Sequence, residues 1–193
     1  MQQKWLQTTE IQLGNESAYF ISETIEVDRL SALAFFAAGV EFKGQRYIWQ
    51  NRAQTLSLVG LGQAYAITND ASEERFDAVE KQWKQFTKNL PNLKVQPILF
   101  GGFAFDPMRN ESAQWATLPH STFMVATYQL MMNEQGCFVT IHAITKDQHT
   151  EQILQPLREK RDELLFHANQ KQPVYEKPTV TAITEPGKDQ YLQ

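Results

Sequence analysis

Four histidines, one cysteine and a scatter of carboxylates and serines are the groups in these 193 residues that could move a proton, attack a carbonyl or hold a metal. No two of His120, His142, His149 and His167 share a helix face at i, i+3 or i+4, and no metal-ligand set forms around them. Ser121 beside His120 has the types of a nucleophile and its base. Neighbours in a strand point to opposite faces, however, so the pair cannot act together there. Glu73, Glu74 and Glu80 fall on a predicted helix whose apolar residues look the other way, which makes them a solvated face. Acid–base carboxylates need enough burial to move their pKa values. Cys137 is alone, cannot form an internal disulfide and sits in an apolar run, the setting of an inert buried thiol. Gly60-Leu61-Gly62 runs on into strand-like sequence instead of a helix, so it is no phosphate cradle. The expectation is a chain with no catalytic, no cofactor-binding and no metal-binding residue of its own.

The elements that would have to position such groups are legible in outline. Alternation predicts a strand near Tyr19–Ile25, and Asp28 is the expected N-cap of a helix through Leu30, Leu33 and Ala37 that ends at Gly39. Strands are predicted over Arg46–Asn51 and Thr55–Ile67, the second bent at Gly60 and Gly62. A capping box at Asp70 and Glu73 introduces a helix with Phe76, Val79, Trp83, Phe86 and Leu90 on its buried stripe, stopped by Pro91. Phe100-Gly101-Gly102-Phe103-Ala104-Phe105 reads as a buried strand whose paired glycines mark close backbone approach, closed by Asp106-Pro107. Two apolar runs, Phe123–Met132 and Cys137–Ile144, are joined by the hairpin signal Asn133-Glu134-Gln135-Gly136.

A last helix is expected over Pro156–His167, with the proline in its first turn. Leu157, Leu164 and Leu165 should face inward, and Arg158, Glu159, Lys160, Arg161, Asp162 and Glu163 should form a solvated surface. From Asn169 the composition turns polar and proline-rich. Strands in consecutive groups with helices between them define an α+β class with an antiparallel sheet and helices packed on it.

Composition narrows the class of function. Hydrophobic residues at 42% and charged residues at 21% are ordinary for a globular domain. A net charge of −4 argues against a nucleic-acid partner, which calls for a basic face. Gly102-Phe103-Ala104-Phe105 matches the centre of an RNA-recognition strand, but Gly101 stands at the basic position and Asp106 would repel phosphate. No apolar run approaches the ~20 residues that span a bilayer, so no membrane partner is expected. The single cysteine fits a reducing compartment, and a cytoplasmic location is the expectation. Tyr47, Trp49, Trp83, Phe103 and Phe105 read as core aromatics, whereas Trp115, in the loop 106–119, could rest against another body.

Four segments in order, Arg46-Tyr47-Ile48-Trp49-Gln50, Gly60-Leu61-Gly62, Phe100-Gly101-Gly102-Phe103-Ala104-Phe105-Asp106 and Trp115-Ala116-Thr117-Leu118-Pro119, give the chain a likeness. Between about Gln45 and Ile144 it resembles the amino-terminal half of isochorismate synthases, members of the chorismate-utilising enzyme family. The resemblance implies a magnesium-dependent isomerisation of chorismate in a longer enzyme that serves menaquinone or siderophore production. It also implies that the activating lysine, the acidic glutamate and the magnesium-holding glutamates lie in a carboxy-terminal half whose motifs do not occur here. Lys188, in a polar stretch flanked by Pro186 and Gly187, is no match for that lysine. The expected organisation is an amino-terminal domain over 1–168 and a linker over 169–193 leading to the catalytic half. That half is the expected partner, with self-association through the exposed interface as another contact. A second reading, of a different class, is a stand-alone non-catalytic binding or interaction module of the same fold.

Overall fold

The computed structural model describes residues 3–69, 74–105, 119–147 and 149–170. β1 (Lys4–Leu13) and β2 (Glu16–Val27) form a long hairpin with Lys4 opposite Ile25 and Leu13 opposite Glu16. β2 continues onto β9 (Gly136–Thr145), which pairs with β8 (Tyr128–Asn133) across the predicted two-residue turn. Asn133 shapes that turn itself: its side-chain oxygen accepts from the amides of Gln135 at 2.8 Å and Gly136 at 3.2 Å. β4 (Ser57–Leu61) and β3 (Arg46–Gln50) complete a six-stranded antiparallel sheet in the order β1-β2-β9-β8-β4-β3. A second antiparallel sheet holds β5 (Tyr65–Asn69), β7 (Ser121–Val125) and β6 (Leu99–Phe103), with β7 in the middle.

The side chains of the large sheet alternate between two cores. One face presents Ile21, Ile25, Val59, Leu61, Leu130, Val139 and Ile141 to the helices α1 (Ala32–Ala38) and α3 (Thr150–Asn169), whose Phe35, Leu154 and Leu164 fill it. The opposite face presents Ile11, Ala18 and Phe20 to Phe86, Leu93 and Val125. There α2 (Arg75–Thr87) stacks Phe86 on Tyr65 at 4.8 Å and meets Phe20 edge-on at 5.2 Å. Phe100, Met124 and Ala126 of the smaller sheet pack with Tyr47 and Leu58 of the larger. The α+β class with antiparallel sheets and packed helices is therefore what the chain forms.

Gly60 matters for what it admits. A Cβ there would lie 2.8 Å from the ring of Phe100, so the aromatic can lie directly over β4 only because the side chain is absent. Gly101 allows a close approach of another kind, since its Cβ would fall 2.0 Å from the Thr122 carbonyl oxygen.

Several boundaries differ from those the sequence predicts. β1 lies outside the sequence prediction, because the polar run Gln7-Thr8-Thr9-Glu10 separates Trp5 and Leu6 from Ile11 and Leu13 and hides the alternation. α1 is capped by Ser31, whose hydroxyl accepts from the Ala34 amide at 3.2 Å, and not by Asp28, and Leu33 faces solvent. The Thr55–Ile67 and Phe123–Met132 runs are each two strands in different sheets, β4 then β5 and β7 then β8. The first corner uses Gly62 at φ +70. β6 is an edge strand that ends at Phe103; its paired glycines are exposed and Phe105 is fully exposed, which corrects the buried strand to 105. α3 begins at Thr150, so Pro156 lies inside it instead of in the first turn and cannot donate to the carbonyl of Gln152. α2 ends at Thr87, short of Pro91. The capping box at Asp70 and Glu73, the Asp106-Pro107 stop, Trp115 and the stretch 171–193 lie outside the described residues.

The cap at Ser31 gives a local test. Ser31→Ala leaves the Ala34 amide without its acceptor and should cost about 1 kcal/mol in urea unfolding. A change below a few tenths would show that α1 is held by packing alone.

Candidate functional site

Glu23 is the one buried carboxylate among the described residues, and every cation near it converges on it. It projects from β2 on the helix-facing side of the large sheet, between Ile21 and Ile25. α3 places Arg158 and Arg161 one turn apart above it. Arg158 Nε lies 3.0 Å from both carboxylate oxygens and its Nη2 lies 2.6 Å from Oε2, while Arg161 Nη1 reaches Oε1 at 3.1 Å. Lys4 of β1 reaches Oε2 at 2.7 Å. The guanidiniums are shared outward in turn, Arg158 with Glu151 at 2.6 Å and Arg161 with Asp162 at 2.8 Å. Burial pushes the Glu23 carboxyl up, but the hydrogen bonds and charges of Arg158 and Lys4 outweigh it and hold the group below its ordinary value. Glu151 is held low by the same Arg158.

Such a carboxylate has no chemistry left to offer. A general base needs an open lone pair and a pKa near neutrality, and Glu23 has neither. It also cannot serve a divalent cation, because its oxygens are already occupied by ammonium and guanidinium groups. Among the described residues no group of three or more histidines, cysteines or carboxylates could hold a metal ion. The described residues therefore do not fit the magnesium that the isochorismate synthase resemblance implies.

The predicted solvated face of α3 is corrected here. Arg158 and Arg161 turn inward to the sheet, and Arg161 is only 7% exposed. A run of six charged residues gives no sign of this, because the partner, Glu23, lies 138 positions from Arg161 in the chain.

The remaining chemical groups separate instead of converging. His142 is fully buried and stacks on Phe20 at 5.3 Å. Its Nδ1 lies 3.0 Å from the Ala126 carbonyl, which can only accept, so the proton resides on Nδ1 and Nε2 is left without a partner. Burial pushes its pKa down to about 4, against the opposing pull of the Ala126 carbonyl. Along the same face run Thr24 and Thr140, with hydroxyls 2.9 Å apart, and Gln129, which donates to the Gln96 carbonyl at 2.9 Å and accepts from the Ile98 amide at 3.0 Å. The Gln129 bonds fasten the segment before β6 to the large sheet.

Ser121 and His120 do not cooperate: Ser121 Oγ donates to the Asn69 carbonyl at 3.1 Å, and His120 Nδ1 has no partner. His149 and His167 are exposed. Cys137 is buried, and burial pushes its thiol up to about 11, as an inert cysteine requires. Glu74 is exposed and Glu80 pairs with Lys84 at 2.6 Å on the outer face of α2; Glu73 lies outside the described residues. A polar cleft of about 350 Å³ lies between Arg29, Ser31, Gln50, Gln54 and Ser57. Most of its polar groups are already engaged: Arg29 with the Asn133 carbonyl, Ser31 with the Ala34 amide, and Gln50 with Ser57.

What the described surface does offer is an aromatic rim beside the open edge of the small sheet. Phe76 meets Phe103 at 4.4 Å and Phe103 meets Phe123 at 4.8 Å, with the Arg75 guanidinium 5.0 Å from the Phe76 ring and donating to the Ala104 carbonyl at 2.7 Å. Phe76 and Phe105 are exposed. No described helix is long and apolar enough to cross a membrane.

Comparison with known proteins gives the class of this two-sheet domain with its cation-saturated carboxylate. Residues 6–193 match the model of the family described as chorismate binding enzyme, and the chain belongs to that family. It is 29% identical over 188 residues to the isochorismate synthase MenF of Bacillus subtilis (strain 168). That alignment covers 91% of this chain but only 39% of the relative's length.

Proposed function

We propose that the chain is the amino-terminal structural portion of an isochorismate synthase, not catalytic by itself, in an enzyme that converts chorismate to isochorismate for menaquinone or siderophore production. The likeness to the Bacillus enzyme supports the reaction, and its limited share of that enzyme leaves room for a separate catalytic portion. One observation carries the non-catalytic part of the reading: Glu23, the sole buried carboxylate among the described residues, is saturated by Lys4, Arg158 and Arg161. Adding water to chorismate while a hydroxyl departs needs a base, an acid and a cation for the carboxylates. Glu23, Gln129, Thr24, Thr140 and Ser121, all buried, are engaged in bonds that join strands, loops and helices. The partner is the carboxy-terminal catalytic portion, and magnesium belongs with it.

The test joins the chain to the carboxy-terminal half of the Bacillus isochorismate synthase and follows chorismate loss in the presence of magnesium. The joined polypeptide should convert chorismate, and the half without this chain should lose most of that activity. Equal activity with and without the chain would overturn the structural role.

A further inference from the structure

β6 is an outer strand of the small sheet. Ala104 donates its amide to the His120 carbonyl at 2.7 Å, which extends the β6–β7 ladder by one pair. Hydrogen bonds alternate along an antiparallel pair. Phe100, Gly102 and Ala104 therefore face β7, and the amides and carbonyls of Leu99, Gly101 and Phe103 point away from it. Among the described residues no strand pairs with that outer edge. Exposed edges are ordinarily blunted by charge or proline. The outer strands of the large sheet follow that rule, with Lys4 and Glu10 in β1 and Arg46 in β3. β6, Leu-Phe-Gly-Gly-Phe, carries neither device, and its two glycines leave the backbone uncovered. Phe76 and Phe105 border it, exposed as an interface rim would be.

We infer that the outer edge of β6 accepts a β-strand from the carboxy-terminal portion of the longer enzyme, an inference that rests on the structural role proposed above. Main-chain groups of Leu99, Gly101 and Phe103 supply the hydrogen bonds, and Phe76 and Phe105 close over the added strand. A second copy of this chain fits the edge less well. A five-residue strand offers far less than the ~1,000 Å² that a stable association between separate molecules requires, and each copy carries a net charge of −4. A strand in the same polypeptide meets the edge at high effective concentration and needs no such area. The relative, of which this chain covers 39%, has the length to supply it.

Gly102→Lys tests the edge without disturbing the fold, because nothing lies within 4 Å of where its Cβ would stand. Amide hydrogen exchange at Gly101 and Phe103 is measured in the 193-residue chain and in the same chain joined to the carboxy-terminal half of the Bacillus enzyme. Both amides should exchange at least 100-fold more slowly in the joined polypeptide. Gly102→Lys should abolish that protection while leaving the melting temperature of the 193-residue chain unchanged. Equal exchange in the two forms, or protection that survives Gly102→Lys, overturns the edge pairing. Chorismate conversion is read on the same samples. Conversion with unprotected amides sinks the edge pairing and keeps the structural role; protected amides with no conversion do the reverse. Slower exchange that depends on concentration in the 193-residue chain alone would assign the edge to a second copy and overturn the inference.

Discussion

Glu23→Gln should destabilise the chain by about 3–5 kcal/mol, the largest loss expected from a single polar substitution here. The amide keeps the shape of the carboxylate but not its charge. Arg161, with its side chain 9% exposed, and Arg158, at 15%, are then left in the sheet–helix seam without an anion between them. Removing one member of a buried ion cluster costs far more than the cluster contributes net, because the remaining charges stay desolvated. Lys4→Ala should cost under about 1 kcal/mol, since its side chain is 40% exposed and water replaces the contact. Urea unfolding of the two variants measures both. Equal midpoints for Glu23→Gln and Lys4→Ala would show that the seam is wet and the cluster incidental. Acid should act on Glu23 in the same direction. Its carboxyl is held below the ordinary value of 4.5, so the stability it contributes is complete above that pH and is lost as pH falls below it.

A second loss on acidification should begin earlier and come from His142. Folding lowers its pKa from 6.5 to about 4, so the unfolded chain binds a proton that the folded chain refuses. The stability tied to neutral His142 is whole above about 6.5 and is lost progressively as pH falls toward 4. Each tenfold change in proton affinity corresponds to about 1.4 kcal/mol, which makes the loss about 3 kcal/mol across that window. The imidazole is fully buried, stacked on Phe20, with Nε2 facing no acceptor, so a second ring proton would have nothing to pair with. His142→Asn, which can still donate to the Ala126 carbonyl, should be less stable at pH 7 but nearly flat between pH 6.5 and 4.5. An unchanged slope in that variant would remove His142 as the source. Because the Glu23 window lies lower, unfolding measured at pH 7, 5.5 and 4 separates the two groups.

What the sequence discloses and what it hides follow from the range of the interactions. The Asn133-to-Gly136 hairpin, the Val79 and Phe86 positions of the α2 stripe, and the inert setting of Cys137 depend on neighbours within a few residues, and local pattern finds them; Phe76, expected on the same stripe, is exposed. The division into two sheets does not depend on such neighbours. β4 and β5, like β7 and β8, follow one another with hardly a break in apolar character, because the chain crosses from one sheet to the other within two or three residues. Nor is the Glu23 cluster legible. Arg158 and Arg161 lie in a stretch that reads as solvated, and Glu23 is a single acid in the alternating sequence of β2. Only the β2–β9 pairing and the packing of α3 bring them together. The paired glycines at 101 and 102 mark tight approach correctly at Gly101 and misleadingly at Gly102, where a side chain would meet nothing.

The most direct measurement incubates the purified 193-residue chain with chorismate and magnesium and resolves the products by chromatography. The expected outcome is no isochorismate above the level without protein. Sustained turnover proportional to the concentration of this chain, and absent from a mock purification, would refute the non-catalytic role.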